Sequence, residues 1–109
     1  MAFLTDMNRM KRVVINTAAG GTIAAIAGVS GQTIRVYACE LVFASSTTLD
    51  FKSAATSLTG PQTLLAKVLD FLRIGSGIYP RYVCASGETL NLVVGAAVQL
   101  SGVIYYTQD

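Results

Sequence analysis

The 109-residue chain contains no histidine and no tryptophan, and it has only two cysteines and two prolines. Without histidine, Ser-His-Asp and Cys-His nucleophilic catalysis and His-containing zinc sites are excluded. Two cysteines fall short of a four-Cys zinc site and of a disulfide-dense scaffold. Charge is scarce too, at 13% of residues, about half the usual share. Eight Lys+Arg against six Asp+Glu leave a net +2. The basic residues are scattered, so no nucleic-acid partner is expected. What the chain does have is apolar residues, 52% of the total. That is too many for a disordered segment, and the length suits a single core.

Two long stretches carry no charge, 13–34 and 89–108. Each has the length of a membrane span, but the first is broken by Asn16, Thr17, Gly20, Gly21, Ser30, Gly31 and Gln32. The second contains Asn91, Gln99 and Ser101 and alternates in polarity near its ends. Alternation is sheet chemistry, so no membrane partner is expected. Lys11-Arg12 before Val13-Val14-Ile15, with Ala25-Ile26-Ala27 downstream, has the outline of an export signal. Asn16-Thr17 and Gly20-Gly21 interrupt its apolar region, and the chain reads as unprocessed and made in the cytoplasm.

Residues 1–12 differ from the rest and form an N-terminal arm ahead of a single domain over 13–109. The arm mixes Phe3, Leu4, Met7 and Met10 with Arg9, Lys11 and Arg12. Its composition fits either a frayed terminus or a segment that docks on a neighbouring chain. Beyond it, β-branched runs alternate with turn clusters. Ala19-Gly20-Gly21, Gly60-Pro61, Gly75-Ser76-Gly77 and Ser86-Gly87-Glu88 are turns. Residues 33–44 form the longest strand, with Ile34, Val36, Ala38, Glu40 and Val42 on one face and Arg35, Tyr37, Cys39, Leu41 and Phe43 on the other. In 49–52, Leu49 and Phe51 point inward while Asp50 and Lys52 meet water. Residues 63–74 fit either a short helix or two extended pieces, and Pro80 marks an edge or a bulge. Seven or eight short strands at this spacing make an all-β, antiparallel sandwich.

Several strands are apolar on both faces. In the last one Val98, Leu100 and Ile104 share one side, and Val103 and Tyr105 take the other. An outer apolar face drives association, so a homo-oligomer is expected. Glu40, on an apolar face, calls for an ion-pair partner among Arg35, Arg73 and Arg81, at the core edge or across an interface. Cys39 and Cys84 read as buried hydrophobes, with a bond between them left open. The glycine pairs lack the Lys-Ser/Thr of a phosphate loop. Tyr79, Tyr82, Tyr105 and Tyr106 are interface residues or, alternatively, an aromatic platform for sugars. No catalytic, metal or cofactor site emerges, and the chain is expected not to be an enzyme.

Three runs carry a resemblance. The first is 18–27 followed by Gly31-Gln32-Thr33-Ile34-Arg35-Val36. The second is Leu49-Asp50-Phe51-Lys52-Ser53 leading to Leu58-Thr59-Gly60-Pro61. The third joins Ala85-Ser86-Gly87-Glu88-Thr89-Leu90-Asn91-Leu92 to the closing run 96–106. Over roughly 13–107 the chain resembles the head decoration, or cement, proteins of tailed bacteriophages; 64–80 is the least similar part. The resemblance implies a jelly-roll-like sandwich on the outer surface of an icosahedral virion. There it would clamp neighbouring major capsid protein subunits against the pressure of packaged DNA. A homotrimer is the favoured assembly and a dimer its alternative. The candidate partner interface comprises Phe3, Leu4, Met7, Arg9, Met10, Lys11 and Arg12 of the arm, chosen on composition, together with Tyr79 and Tyr82. The competing reading is a carbohydrate- or receptor-binding sandwich. Against it stand the missing tryptophan and the lack of an acidic calcium loop.

Overall fold

A computed structural model describes residues 10–64, 69–72 and 80–109. Among these residues ten strands form two sheets. Sheet A contains β1 (Lys11–Thr17), β3 (Ile34–Phe43), β7 (Leu69–Leu72), β8 (Tyr82–Val83) and β10 (Leu100–Gln108). Sheet B contains β2 (Gly21–Ile26), β4 (Thr47–Ser53), β5 (Thr56–Ser57), β6 (Gln62–Leu64) and β9 (Leu90–Val94). The order in sheet A is β1-β10-β3, with β7 and β8 both pairing β3. In sheet B it is β2-β9-β4, with β5 and β6 both pairing β4. All pairings are antiparallel.

The pairing is nested: β1 with β10, β2 with β9, β3 with β7 and β8, β4 with β5 and β6. One long hairpin has been rolled so that its successive pairs fall alternately in the two sheets, which is jelly-roll order. The all-β sandwich expected from the sequence is therefore present, with ten segments filling eight strand positions because two positions are split. Strands occupy both uncharged stretches, and among the described residues no helix is long and apolar enough to cross a membrane. The described part of 63–74 is extended rather than helical: β6 ends at Leu64, and β7 pairs with β3. Once β3 offers a free edge, ladder hydrogen bonds outweigh the weak helix preference of a Leu-rich run. Positions 65–68 lie outside the described residues.

Period-two alternation builds the core. Ile15, Leu41, Phe43, Leu100 and Ile104 of sheet A face Ile26, Leu49, Phe51, Leu90, Leu92 and Val94 of sheet B, all buried. The Tyr82 ring crosses between the sheets to meet Phe51, with centroids 4.9 Å apart and planes tilted by 31°. Aromatic pairs prefer such tilted, offset contacts.

β3 departs from the simple alternation. Tyr105 pairs with Ala38 and Tyr106 with Val36, so Tyr37 is an extra residue on β3. A bulge of this kind resets which side chains point inward. Ile34 and Val36 are buried before it, and Cys39, Leu41 and Phe43 after it. The even-numbered residues thus divide between two faces, and Glu40 and Val42 are exposed. Glu40 consequently does not sit at a core edge. Arg35, one of its expected partners, instead pairs with Asp109 at 2.8 Å. Both side chains are exposed, and such pairs stabilise little.

Lys11 and Arg12, counted with the arm, belong to β1, opposite Tyr106 and Tyr105. The turn into β2 uses Gly20 and Gly21, both at positive φ, 69° and 72°. Two consecutive left-handed residues are cheap only for glycine.

Candidate interaction surface

On β1, Val13 and Ile15 pack into the core while Arg12, Val14 and Asn16 are exposed. The ladder carries these outward residues across sheet A in rows. One row is Val14, Val103 and Glu40; the next is Arg12, Tyr105 and Ala38; a third is Asn16, Ser101 and Val42. Val14 is 64% exposed, Val42 40% and Tyr105 36%. Among the described side chains this face therefore presents three large apolar ones to solvent, with Arg12 on one flank and Glu40 on the other. Grouped exposure of this type marks interaction surfaces more often than single surface valines do.

One end of the sandwich holds a partly buried polar cluster. The Ser53 hydroxyl donates to Glu88 Oε1 at 2.6 Å and accepts from the Ala85 N–H at 2.9 Å. Cys84 lies beside it, and burial pushes its thiol pKa up; a hydrogen bond with Ser53 opposes this and the Glu88 charge adds to it. A thiol held protonated is a poor nucleophile, and Ser53 is only 3% exposed. The cluster ties β4 to the turn before β9 and is built for holding rather than reacting. Cys39 and Cys84 are both buried and are not bonded to each other. Among the described residues no group of three His, Cys, Asp or Glu comes together as metal ligands. A shallow depression of about 360 Å³ lies against Ser46, Thr47, Thr48, Thr63, Gly95 and Ala96, with no titratable side chain.

Asp50 corrects another expectation. It does lie on the outer face of sheet B, but it is 6% exposed rather than solvated. The Ser57 hydroxyl donates to it at 2.7 Å and the Thr59 hydroxyl at 3.4 Å. The turn after β5 folds back over the strand, which period-two reasoning along β4 alone does not see.

Of the expected interface residues, Phe3, Leu4, Met7, Arg9 and Tyr79 lie outside the described residues. Met10 is half-buried next to β1, while Lys11 and Arg12 are exposed on it. Tyr82 lies on the far side of β3, about 14 Å from β1 by strand spacing. Its ring is largely committed to Phe51 and the core. The structure thus joins Arg12 to Tyr105 and separates Tyr82 from them. Val14 was absent from the expected set. Its signal was the run Arg12-Val13-Val14-Ile15-Asn16, in which a core-facing Val13 and Ile15 force Val14 outward. Comparison with protein-family models, curated proteins and solved structures finds no match.

Proposed function

We propose that the chain is a structural virion protein that decorates an icosahedral phage capsid from outside. As a homo-oligomer, it clamps neighbouring major capsid protein subunits. The observation that carries this reading is the outer face of sheet A, where Val14, Val42 and Tyr105 stand exposed on a regular ladder. A protein that works by covering junctions needs a rigid, apolar, catalytically idle surface, and several weak attachments then act together. The resemblance of 13–107 to phage cement proteins points the same way. Jelly rolls also occur in lectins and enzymes, so the fold alone does not choose.

The test is co-sedimentation of the purified protein with empty phage-type shells, followed by thermal disruption of the shells. Binding that raises the disruption temperature is expected. The double variant Val42→Lys/Tyr105→Lys should lose it, while Thr22→Lys on sheet B should keep it. Failure of the wild type to bind shells, together with selective binding on a glycan array, overturns the proposal in favour of the sugar-binding reading.

A further inference from the structure

Among the described residues the two sheets have four edges, and three of them are blunted. β2 carries a register shift between Ala24 and Ile26. The positions beside β4 and β3 are filled by short pieces: β5 and β8 have 2 residues each, β6 has 3 and β7 has 4. Short strands and bulges are the ordinary devices that stop sheet edges from pairing with other chains. β1 has neither, and its two charged residues, Lys11 and Arg12, are confined to its first two positions. It runs for 7 residues, contains no proline, and pairs with β10 in unbroken register from Lys11–Tyr106 to Thr17–Leu100. Among the described residues nothing pairs with its other edge. Its centre, Val14, has the highest exposure of any large hydrophobic residue described.

We propose that the free edge of β1 pairs antiparallel with β1 of a second copy about a two-fold axis at Val14. Core-facing and outward residues must stay on their own sides in a continuous sheet, so paired positions must share parity and the axis must pass through a residue. Only Val14 as that residue uses the whole strand. Lys11 then faces Thr17 of the second copy, Arg12 faces Asn16, Val13 faces Ile15, and Val14 faces itself. Each basic residue lands on a neutral polar one, so no like charges meet, and the two exposed valines cover each other. Axes at Val13 or Ile15 strand two residues and leave Val14 against Arg12 or Asn16. The contact is isologous and closes at two copies, in place of the trimer favoured from the sequence. It stands on the edge geometry and does not require the capsid reading. Where that reading also holds, the dimer presents two outer faces of sheet A side by side.

Light scattering on the purified protein at micromolar concentration, without shells, is the experiment. A dimer is expected. Val14→Lys sets two like charges opposite each other; it should raise the dimer dissociation constant at least tenfold while leaving the circular-dichroism spectrum and Tm of the monomer intact. Directly opposed Cα atoms lie about 4.5 or 5.5 Å apart, both within disulfide range. Val14→Cys should therefore cross-link to a covalent dimer on mild oxidation. Asn16→Cys should not, because its two copies sit about 14 Å apart along the strands. A monomer or a trimer overturns the proposal, as does equal cross-linking of the two cysteine variants.

Discussion

The outer faces of the two sheets follow the same alternation and end in opposite chemistry. On sheet B two outward residues beside the 54–61 turn are engaged internally: Asp50 accepts from Ser57 at 2.7 Å, and Asn91 donates to the Ala54 carbonyl at 3.0 Å. The 54–61 turn lies over that part of the face and satisfies it. On sheet A the outward Val14, Val42 and Tyr105 stay in solvent. Polar side chains on a sheet can be completed by a nearby loop, because a hydroxyl or a carbonyl suffices. Apolar ones need area, which a short turn does not supply. One face is finished by the chain itself, and the other is left for something else to finish.

Substitutions can break that contrast in graded steps. The largest effect belongs to the inner faces that both sheets share. Phe51→Ala removes a fully buried ring and its Tyr82 contact and should cost roughly 3–5 kcal/mol by urea denaturation. On the outer face of sheet B, Asp50→Ala leaves the Ser57 hydroxyl without its acceptor, while Thr59 keeps the Gly60 carbonyl at 2.8 Å. The expected loss is about 1–3 kcal/mol on the same measurement. A value near zero would mean that this face is as idle as the other.

Smaller again is the pH response of the cluster that closes one end of the sandwich. Burial raises the Cys84 thiol pKa in the folded state above its ordinary value of 9.0. The unfolded chain then releases that proton first, so the contribution to stability is whole below the ordinary value. It drains away as pH rises through the folded one. The Tm of the wild type should fall faster above pH 9.0 than that of Cys84→Ala. The smallest effect is expected on the outer face of sheet A, where Val42→Thr should change monomer stability by no more than about 0.5 kcal/mol. A larger change would show that this face is already covered within the monomer.

Much of the architecture was legible along the chain. Leu49-Asp50-Phe51-Lys52 alternates cleanly, and Leu49 and Phe51 are both fully buried. The turns at Gly20-Gly21 and Gly87 also fall where glycine predicts them, each at positive φ. β3 was misread because a bulge is a property of two strands. Nothing between Val36 and Ala38 announces that Tyr106 and Tyr105 will skip Tyr37. Glu40 and Val42 were grouped on one face with Ile34 and Val36 for that reason alone. Tyr82 was grouped with rim tyrosines because its Phe51 partner lies 31 positions away in the chain and in the other sheet.

Local chemistry was enough to specify the class of fold, a chain poor in charge and without histidine, and the approximate strands. Each of those depends on residue type and on neighbours one or two positions away. The nested strand order, the bulge at Tyr37, the roof over Asp50 and the unblunted edge at β1 depend on which strand lies beside which. Those pairings join residues far apart in the chain, as Lys11 meets Tyr106. They are selected by the burial of a common core, and no local signal encodes them.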